Sequence, residues 1–260
     1  MSDDAMPIPE PANNAVAPPL ADVPSDRLPQ HIAVIMDGNG RWAQSRGLPR
    51  IEGHRNGAKS VRRTLEECAR LNIPQLTLYC LSSENWKRPQ HELDFLMHLL
   101  QQYVIEERSS LQRENVRLSV IGRREGIPPH VLEDMDKTIE MSRNNTGVHL
   151  RLAINYGGRG EIVDAAKQIA SDVQAGRLAI DDIDETAFSK RLYTGDAPDP
   201  DLLIRTAGEM RISNFLLWQI SYAEVWVTDV FWPDFSEDHL HQAIRNFASR
   251  SRRFGGLNSD

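Results

Sequence analysis

Asp37, Gly38, Asn39, Gly40, Arg41 and Trp42 stand in one unbroken run, directly after an apolar stretch. Glycines let backbone N–H groups approach an anion, a guanidinium clamps anion oxygens in pairs, and a carboxylate is a hard oxygen ligand for Mg²⁺. Together these parts suit a diphosphate. An ordinary Asp-Gly turn is the bland alternative; the apolar run before it and the Arg and Trp after it argue for the anion. The spacing is neither that of a P-loop nor that of a dinucleotide fingerprint. Arg46, Arg50, His54 and Arg55 follow closely. Arg46 and Arg55 read as a solvated basic face, whereas Arg50 and His54, four apart, would share one face of a helix.

Three more polar clusters have the same placement. Ser82-Ser83-Glu84-Asn85-Trp86-Lys87-Arg88 supplies hydroxyls, an amide, an indole and a guanidinium after an apolar run, and it also reads as a helix start with Pro89 near the first helical position. Asn155–Arg159 is a second glycine-containing loop. The run from Arg205 to Ser213, with Arg211 and Ile212 inside it, sets two arginines and a serine about a glycine turn. A second anion site implies two phosphorylated substrates or one long one. The acidic run Asp181-Asp182-Ile183-Asp184-Glu185 could pass for a Mg²⁺-binding motif of all-helical enzymes, but here it reads as the cap of a following helix.

These loops need a scaffold. Apolar runs at His31–Met36, Leu76–Leu81, Val116–Ile121, Val148–Ile154, Leu202–Arg205 and Val225–Thr228 read as strands. Helical spacing fills Gly57–Leu71, Glu92–Leu111, Pro129–Arg143, Glu161–Gln174, a short stretch at Glu185–Arg191, and Glu237–Arg250. Such alternation predicts a single α/β domain with a central, mainly parallel β-sheet flanked by helices on both faces. In that architecture ligands bind beyond the carboxyl ends of the strands, where all four polar clusters fall. Residues 1–29, rich in Pro, Ala and Asp, read as a flexible tail, residues 30–256 as the catalytic domain, and residues 257–260 as a short C-terminal tail.

Composition bounds the function classes. A chain of 260 residues with 40% apolar and 26% charged residues can bury a substantial core, and its net charge of −7 disfavours a nucleic-acid partner. Two cysteines, Cys68 and Cys80, give no disulfide framework, and no apolar run approaches the ~18 residues needed to span a bilayer. The expected setting is cytoplasmic, with room for peripheral contact at the inner face of a membrane. The sequon Asn144-Asn145-Thr146 is expected to be idle.

The loops taken together, with Glu224 through Phe235, resemble the cis-prenyltransferase family from about His31 to Gly256. The resemblance implies repeated condensation of isopentenyl diphosphate onto an allylic diphosphate, usually farnesyl diphosphate. The implied product is a long-chain polyprenyl diphosphate such as undecaprenyl diphosphate, the lipid-carrier precursor for cell-wall polysaccharide. It carries Asp37 and Asn85 to catalytic positions, and Mg²⁺ to Asp37 and Glu224. It carries Gly38, Asn39, Gly40, Arg41, Arg50 and His54 to the allylic diphosphate, with Trp42 and Trp86 beside it. Ser82, Ser83, Glu84 and Arg88 are carried over as substrate-binding, and Arg205, Arg211, Ile212 and Ser213 as the isopentenyl side. A homodimer is implied, with Arg253 and Gly255 reaching the neighbouring subunit's site. An apolar tunnel is implied as well, with Leu93, Leu96, Met97, Leu100 and Val104 as one wall. Two residues depart from the family pattern: Ala207 where many relatives have Gly, and Met210 where some have His.

Overall fold

The computed structural model describes residues 20–250. Six strands form one all-parallel sheet: β1 (His31–Ile35), β2 (Gln75–Ser82), β3 (Arg117–Ile121), β4 (His149–Tyr156), β5 (Leu202–Arg205) and β6 (Glu224–Val227). Their order across the sheet is β3-β4-β2-β1-β5-β6. The helices are α1 (Asn39–Gln44), α2 (Arg50–Arg70), α3 (Gln90–Glu106), α4 (Arg108–Arg113), α5 (Pro129–Ser142), α6 (Gly158–Gln174), α7 (Glu185–Ser189) and α8 (Glu237–Ala248). The strands are near-continuous apolar runs because a parallel sheet is covered on both faces. Ile32, Val34, Leu76, Leu78, Leu150 and Leu152 turn to a large core under α2, α3, α5 and α8. Their neighbours Ala33, Ile35, Tyr79, Ala153 and Leu203 turn to a smaller cluster closed by Phe215 and Leu216. On that side α6 is tied in through Tyr156, whose hydroxyl bonds Glu161 at 2.5 Å, and α7 through the Phe188–Trp218 ring contact.

The chain runs outward from β1 through β2, then returns to add β5 on the other side of β1. A parallel sheet opens a crevice at the carboxyl ends where the order reverses, here between β1 and β5. Asp37 follows β1, and Arg205 ends β5.

Three boundaries differ from the sequence reading. The α2 helix starts at Arg50, after Pro49, rather than at Gly57, so Gly53 and Gly57 lie inside it. The expected helix from Glu92 to Leu111 breaks at Glu107, a buried carboxylate ion-paired with Arg62 of α2. Part of the expected N-terminal tail is packed: Leu20 is buried in the large core and Asp22 pairs with Arg245 of α8 at 2.7 Å. Residues 1–19 and the C-terminal tail of residues 257–260 lie outside the described residues.

Candidate active site

The run after β1 is a helix start rather than a loose glycine turn. Gly38, at φ +96°, is the residue before α1, and a Cβ there would fall 2.7 Å from the Phe231 ring and 2.8 Å from the Ala207 methyl. Only glycine fits that conformation in that space. Thr206 fixes the backbone of Asp37 twice: its hydroxyl accepts from the Asp37 N–H at 2.9 Å and donates to the Asp37 carbonyl at 2.7 Å. The Asp37 carboxylate accepts from Arg205 at 2.8 Å and from the Gly38 N–H at 2.7 Å, with Arg41 3.4 Å away. Burial works against the charged form, but these donors and the two guanidiniums outweigh it and hold the carboxyl below its usual range.

Helix α1 is seated by absent side chains. A Cβ on Gly53 would come 1.9 Å from the Asn39 carbonyl oxygen, and one on Gly57 would come 2.4 Å from Asn39 Oδ1. Asn39 Oδ1 is buried against Gly57 with no hydrogen-bond partner, and Asn39 is among the residues lining the cavity described below. The same packing lays the Arg50 guanidinium against Gly40, where a Cβ would be 2.7 Å from its Cζ. Arg50 and His54 do share one face of α2, and Glu92 of α3 stands behind them. The Glu92 carboxylate lies 3.0 Å from Arg88, 3.9 Å from Arg50 and 4.0 Å from His54 Nε2. Burial, reinforced by the Arg88 and Arg50 charges, pulls the His54 imidazole down to about 4, so it is neutral at pH 7.

The segment after β2 is a single 3-10 stretch, Ser83–Lys87, closed at its start by Asn85, whose Oδ1 accepts from the Ser82 N–H at 3.1 Å. Glu84 accepts from Asn214 at 2.7 Å. After β5, Arg205 is almost fully buried behind Asp37; it reaches Ser213 Oγ at 2.8 Å and the Arg211 carbonyl. Glu209 joins the two clusters, pairing with Arg41 at 3.2 Å and with Arg211. Non-glycine residues in the left-handed region gather here: Ala207, Ser213, Asn214, Leu216 and, near the end of β4, Asn155. Such strain concentrates at functional sites. The Ala207 methyl therefore sits where glycine would be the easier residue, at φ +70°.

These groups open on one cavity of about 920 Å³. Its charged end is lined by Asp37, Arg41, Arg50, Arg88, Glu209 and Arg211, and Asn85 and Ser213 face it too. Its other end runs between α2, α3 and the sheet, lined by Val61, Leu96, Met97, Leu100, Tyr103 and Ile154. Leu93 and Val104, expected on this wall, are buried in core packing and do not line it.

Several expected site residues stand elsewhere. Trp42 turns away, its indole bonded to Asp234 at 2.7 Å and stacked by Arg46 at 4.3 Å. The Trp86 ring packs over Gly126 and bonds Asn155. Ser83 packs against Gly157, and Ile212 and Met210 point outward. Glu224 opens β6 opposite Leu202, at the amino edge of the sheet, and pairs with Arg250. Within one chain it is therefore not brought to Asp37, because parallel strands put their first and last residues on opposite edges. Arg253 and Gly255 lie outside the described residues. The acidic run near Asp181 is exposed, and Asp184 caps α7 through the Ala187 N–H at 2.7 Å. Both cysteines are free. Sequence reading missed Glu92, Glu209, Asn214 and the two α2 glycines. The only local signals were a carboxylate four residues after Arg88 and a glycine pair at helical spacing.

A family model described as "Putative undecaprenyl diphosphate synthase" matches residues 35–255. An isoprenyl transferase of Rhodopirellula baltica is 56% identical over 234 residues, which are 90% of this chain and 96% of its own. One from Bacillus subtilis is 50% identical over 236 residues, 91% of each chain. Lavandulyl diphosphate synthase from Lavandula x intermedia, solved in complex with dimethylallyl diphosphate, matches with a TM-score of 0.85 at 38% identity, covering 88% of this chain and 99% of that one. A probable undecaprenyl diphosphate synthase from Campylobacter jejuni matches with a TM-score of 0.72 at 33% identity, over 87% of this chain and 98% of its own.

Proposed function

Since the chain belongs to the undecaprenyl diphosphate synthase family of isoprenyl transferases, we propose that it adds isopentenyl diphosphate repeatedly to an allylic diphosphate primer. Farnesyl diphosphate is the proposed primer and a long polyprenyl diphosphate, of undecaprenyl length, the proposed product, serving as carrier precursor for cell-wall polysaccharide. The observation that carries this reading is the two-ended cavity, charged beside Asp37 and apolar between α2 and α3. A substrate with a diphosphate head and a growing hydrocarbon tail needs both ends in one continuous space.

In the proposed reaction the isopentenyl double bond attacks the allylic carbon, the allylic carbon–oxygen bond breaks, diphosphate leaves, and a proton is lost from the new chain. Arg41, Arg50 and Arg88 would hold the allylic diphosphate and stabilise the negative charge that grows on it as it departs. Arg211 and Ser213, with Arg205 behind them, would hold the isopentenyl diphosphate. Asn85, an amide and so a poor base, would orient substrate or water at the carbon that loses its proton.

Among the described residues no group of three or more His, Cys, Asp or Glu could by itself hold a metal. A lone Asp37 carboxylate completed by substrate oxygens and water is nonetheless how Mg²⁺ commonly binds, so the donor set fits. Bound there, Mg²⁺ would supply neutralisation of the leaving diphosphate. The proposed catalytic domain runs from the packed Leu20 segment to residue 256 and acts as a cytoplasmic homodimer whose product passes to a membrane. Among the described residues no helix is long and apolar enough to cross one. In such a dimer Glu224 would serve a metal only in the neighbouring subunit's site.

The test is incubation of the purified protein with Mg²⁺, labelled isopentenyl diphosphate and farnesyl diphosphate, with products sized by mass spectrometry. Chain growth is expected. Absence of incorporation with primers of several lengths would overturn the proposal, and release of free phosphate without growth would point to a hydrolase.

A further inference from the structure

Trp86 and Asn155 are joined on the side of the Ser82–Arg88 segment that faces away from the cavity. The indole N–H donates to Asn155 Oδ1 at 2.5 Å, and Asn155 Nδ2 donates to the carbonyls of Arg123 at 3.1 Å and Glu125 at 2.9 Å. All the polar atoms of that side chain are in use. Asn155 is only 8% exposed and holds φ +49°, which asparagine tolerates better than most residues. Beneath the indole lies Gly126, where a Cβ would sit 3.4 Å from the ring. Trp86 is thus packed and hydrogen-bonded to the β3–α5 loop through one residue of β4.

Asn85 is the residue next to Trp86, and it faces the cavity. At the start of the segment its own carboxamide is pinned by the Ser82 N–H. At the other end Trp86 is the anchor. Ser83–Lys87 makes only a short 3-10 stretch with no buried residue; Glu84 and Ser83 hold it on the Asn214 and Gly157 side, and Trp86 holds it on the side of the β3–α5 loop.

We infer that Asn155 is a positioning residue for the condensation: acting through the Trp86 indole, it fastens the Ser82–Arg88 segment to the β3–α5 loop and so sets where Asn85 meets substrate. The inference rests on the functional reading above. It also accounts for a tryptophan beside the site whose ring is turned from the cavity.

Two variants test it. Trp86→Phe removes the N–H while keeping an aromatic ring on Gly126, and Asn155→Gly removes the side chain while easing the positive φ. Each is expected to melt near wild type and to lower kcat by on the order of tenfold. The double variant is expected to be no slower than the slower single, because both break one link. Affinity for inorganic diphosphate should fall less than kcat, since Asp37, Arg41 and Arg50 are untouched and only Arg88 among the diphosphate-binding residues rides on the segment. In protein labelled with ¹⁵N-tryptophan, one of the five indole N–H signals, the one missing from Trp86→Phe, should exchange slowly in wild type and fast in Asn155→Gly. Unchanged kcat in folded single variants, multiplied losses in the double, or diphosphate affinity falling in step with kcat would each overturn the inference. If the wild-type protein condenses nothing, the functional reading fails by itself. The indole exchange then still decides whether the anchor exists.

Discussion

Asp37 has two tasks that its place in the sequence makes look like one. As a loop carboxylate it would be expected to contribute little to stability. Its partner, however, is the nearly buried guanidinium of Arg205, 168 residues away in the chain. Stranding a buried charge costs about 3 kcal/mol or more. Asp37→Ala is therefore expected to abolish turnover and to lower the melting temperature, whereas Asp37→Asn, which can still accept from Arg205, should abolish turnover with a smaller thermal loss. Activity assays and thermal melts check both, and retained turnover in either folded variant would remove Asp37 from the chemistry. His54 carries a pH signature. Its imidazole is held at about 4 by burial and by the charges of Arg88 and Arg50, and a diphosphate beside it favours the protonated form. Binding should then take up a proton, so diphosphate affinity rises as pH falls through the bound-state pKa toward 4. Calorimetry across pH should show that rise in wild type and a flatter dependence in His54→Gln. An equal slope in both would assign it to the ligand alone.

At the level of elements, Gly53 reverses an ordinary rule. Ala in place of Gly inside an exposed helix stabilises by about 1 kcal/mol. On α2 the added methyl would enter the Asn39 carbonyl and push α1 outward, with Asp37, Arg41 and the Arg50 contact at Gly40 behind it. Gly53→Ala is expected to destabilise by about 2 kcal/mol or more and to weaken diphosphate binding together with it, as denaturant melts and binding titrations would show. A stabilised variant would mean that α1 is not seated this way. The same helix shows what the sequence discloses. The apolar periodicity from Ala58 to Ala69 was legible because burial writes it. The first two turns, from Arg50 to Asn56, were not, because there the inward face is glycine and charged residues turned to a cavity. Strand ends and polar loops were legible for a similar reason: strands buried on both faces stop abruptly at their first polar residue. The direction of a tryptophan or a carboxylate within those loops was not, since it depends on partners such as Asp234, Asn155 and Arg250 that are distant in the chain.

The whole molecule is sensitive to acid through its imidazoles. His31, the first residue of β1, is buried, its ring nitrogens against the Pro198 carbonyl at 2.6 Å and the Thr77 hydroxyl at 2.7 Å. Burial pulls it from 6.5 to about 4. The unfolded chain thus binds a proton that the folded one refuses between those values, so stability is full above about 6.5 and falls as pH drops toward 4. His31 alone should remove about 2 kcal/mol between pH 7 and pH 5. His149, lowered to about 3 by burial and the charges of Arg151 and Arg117, adds to the effect. Urea melts at the two pH values should show this, with His31→Gln losing part of the difference; an equal difference in the variant would place the sensitivity elsewhere. The α/β class could be predicted from alternation, but the order β3-β4-β2-β1-β5-β6 could not. Pairing β5 with β1 is a contact across most of the chain, and no local pattern encodes it.

That pairing has a consequence during synthesis. A chain leaving the ribosome exposes β1 first, and β2 can cover one edge of it after some forty residues. The other edge stays bare until Leu202–Arg205 has emerged. Open parallel edges are sticky, and distant pairings form slowly. Asp37 likewise stays without Arg205 and Thr206 throughout that interval. The nascent chain therefore spends most of its translation with a central strand paired on one edge only and with no complete diphosphate site, and both are completed together when β5 arrives.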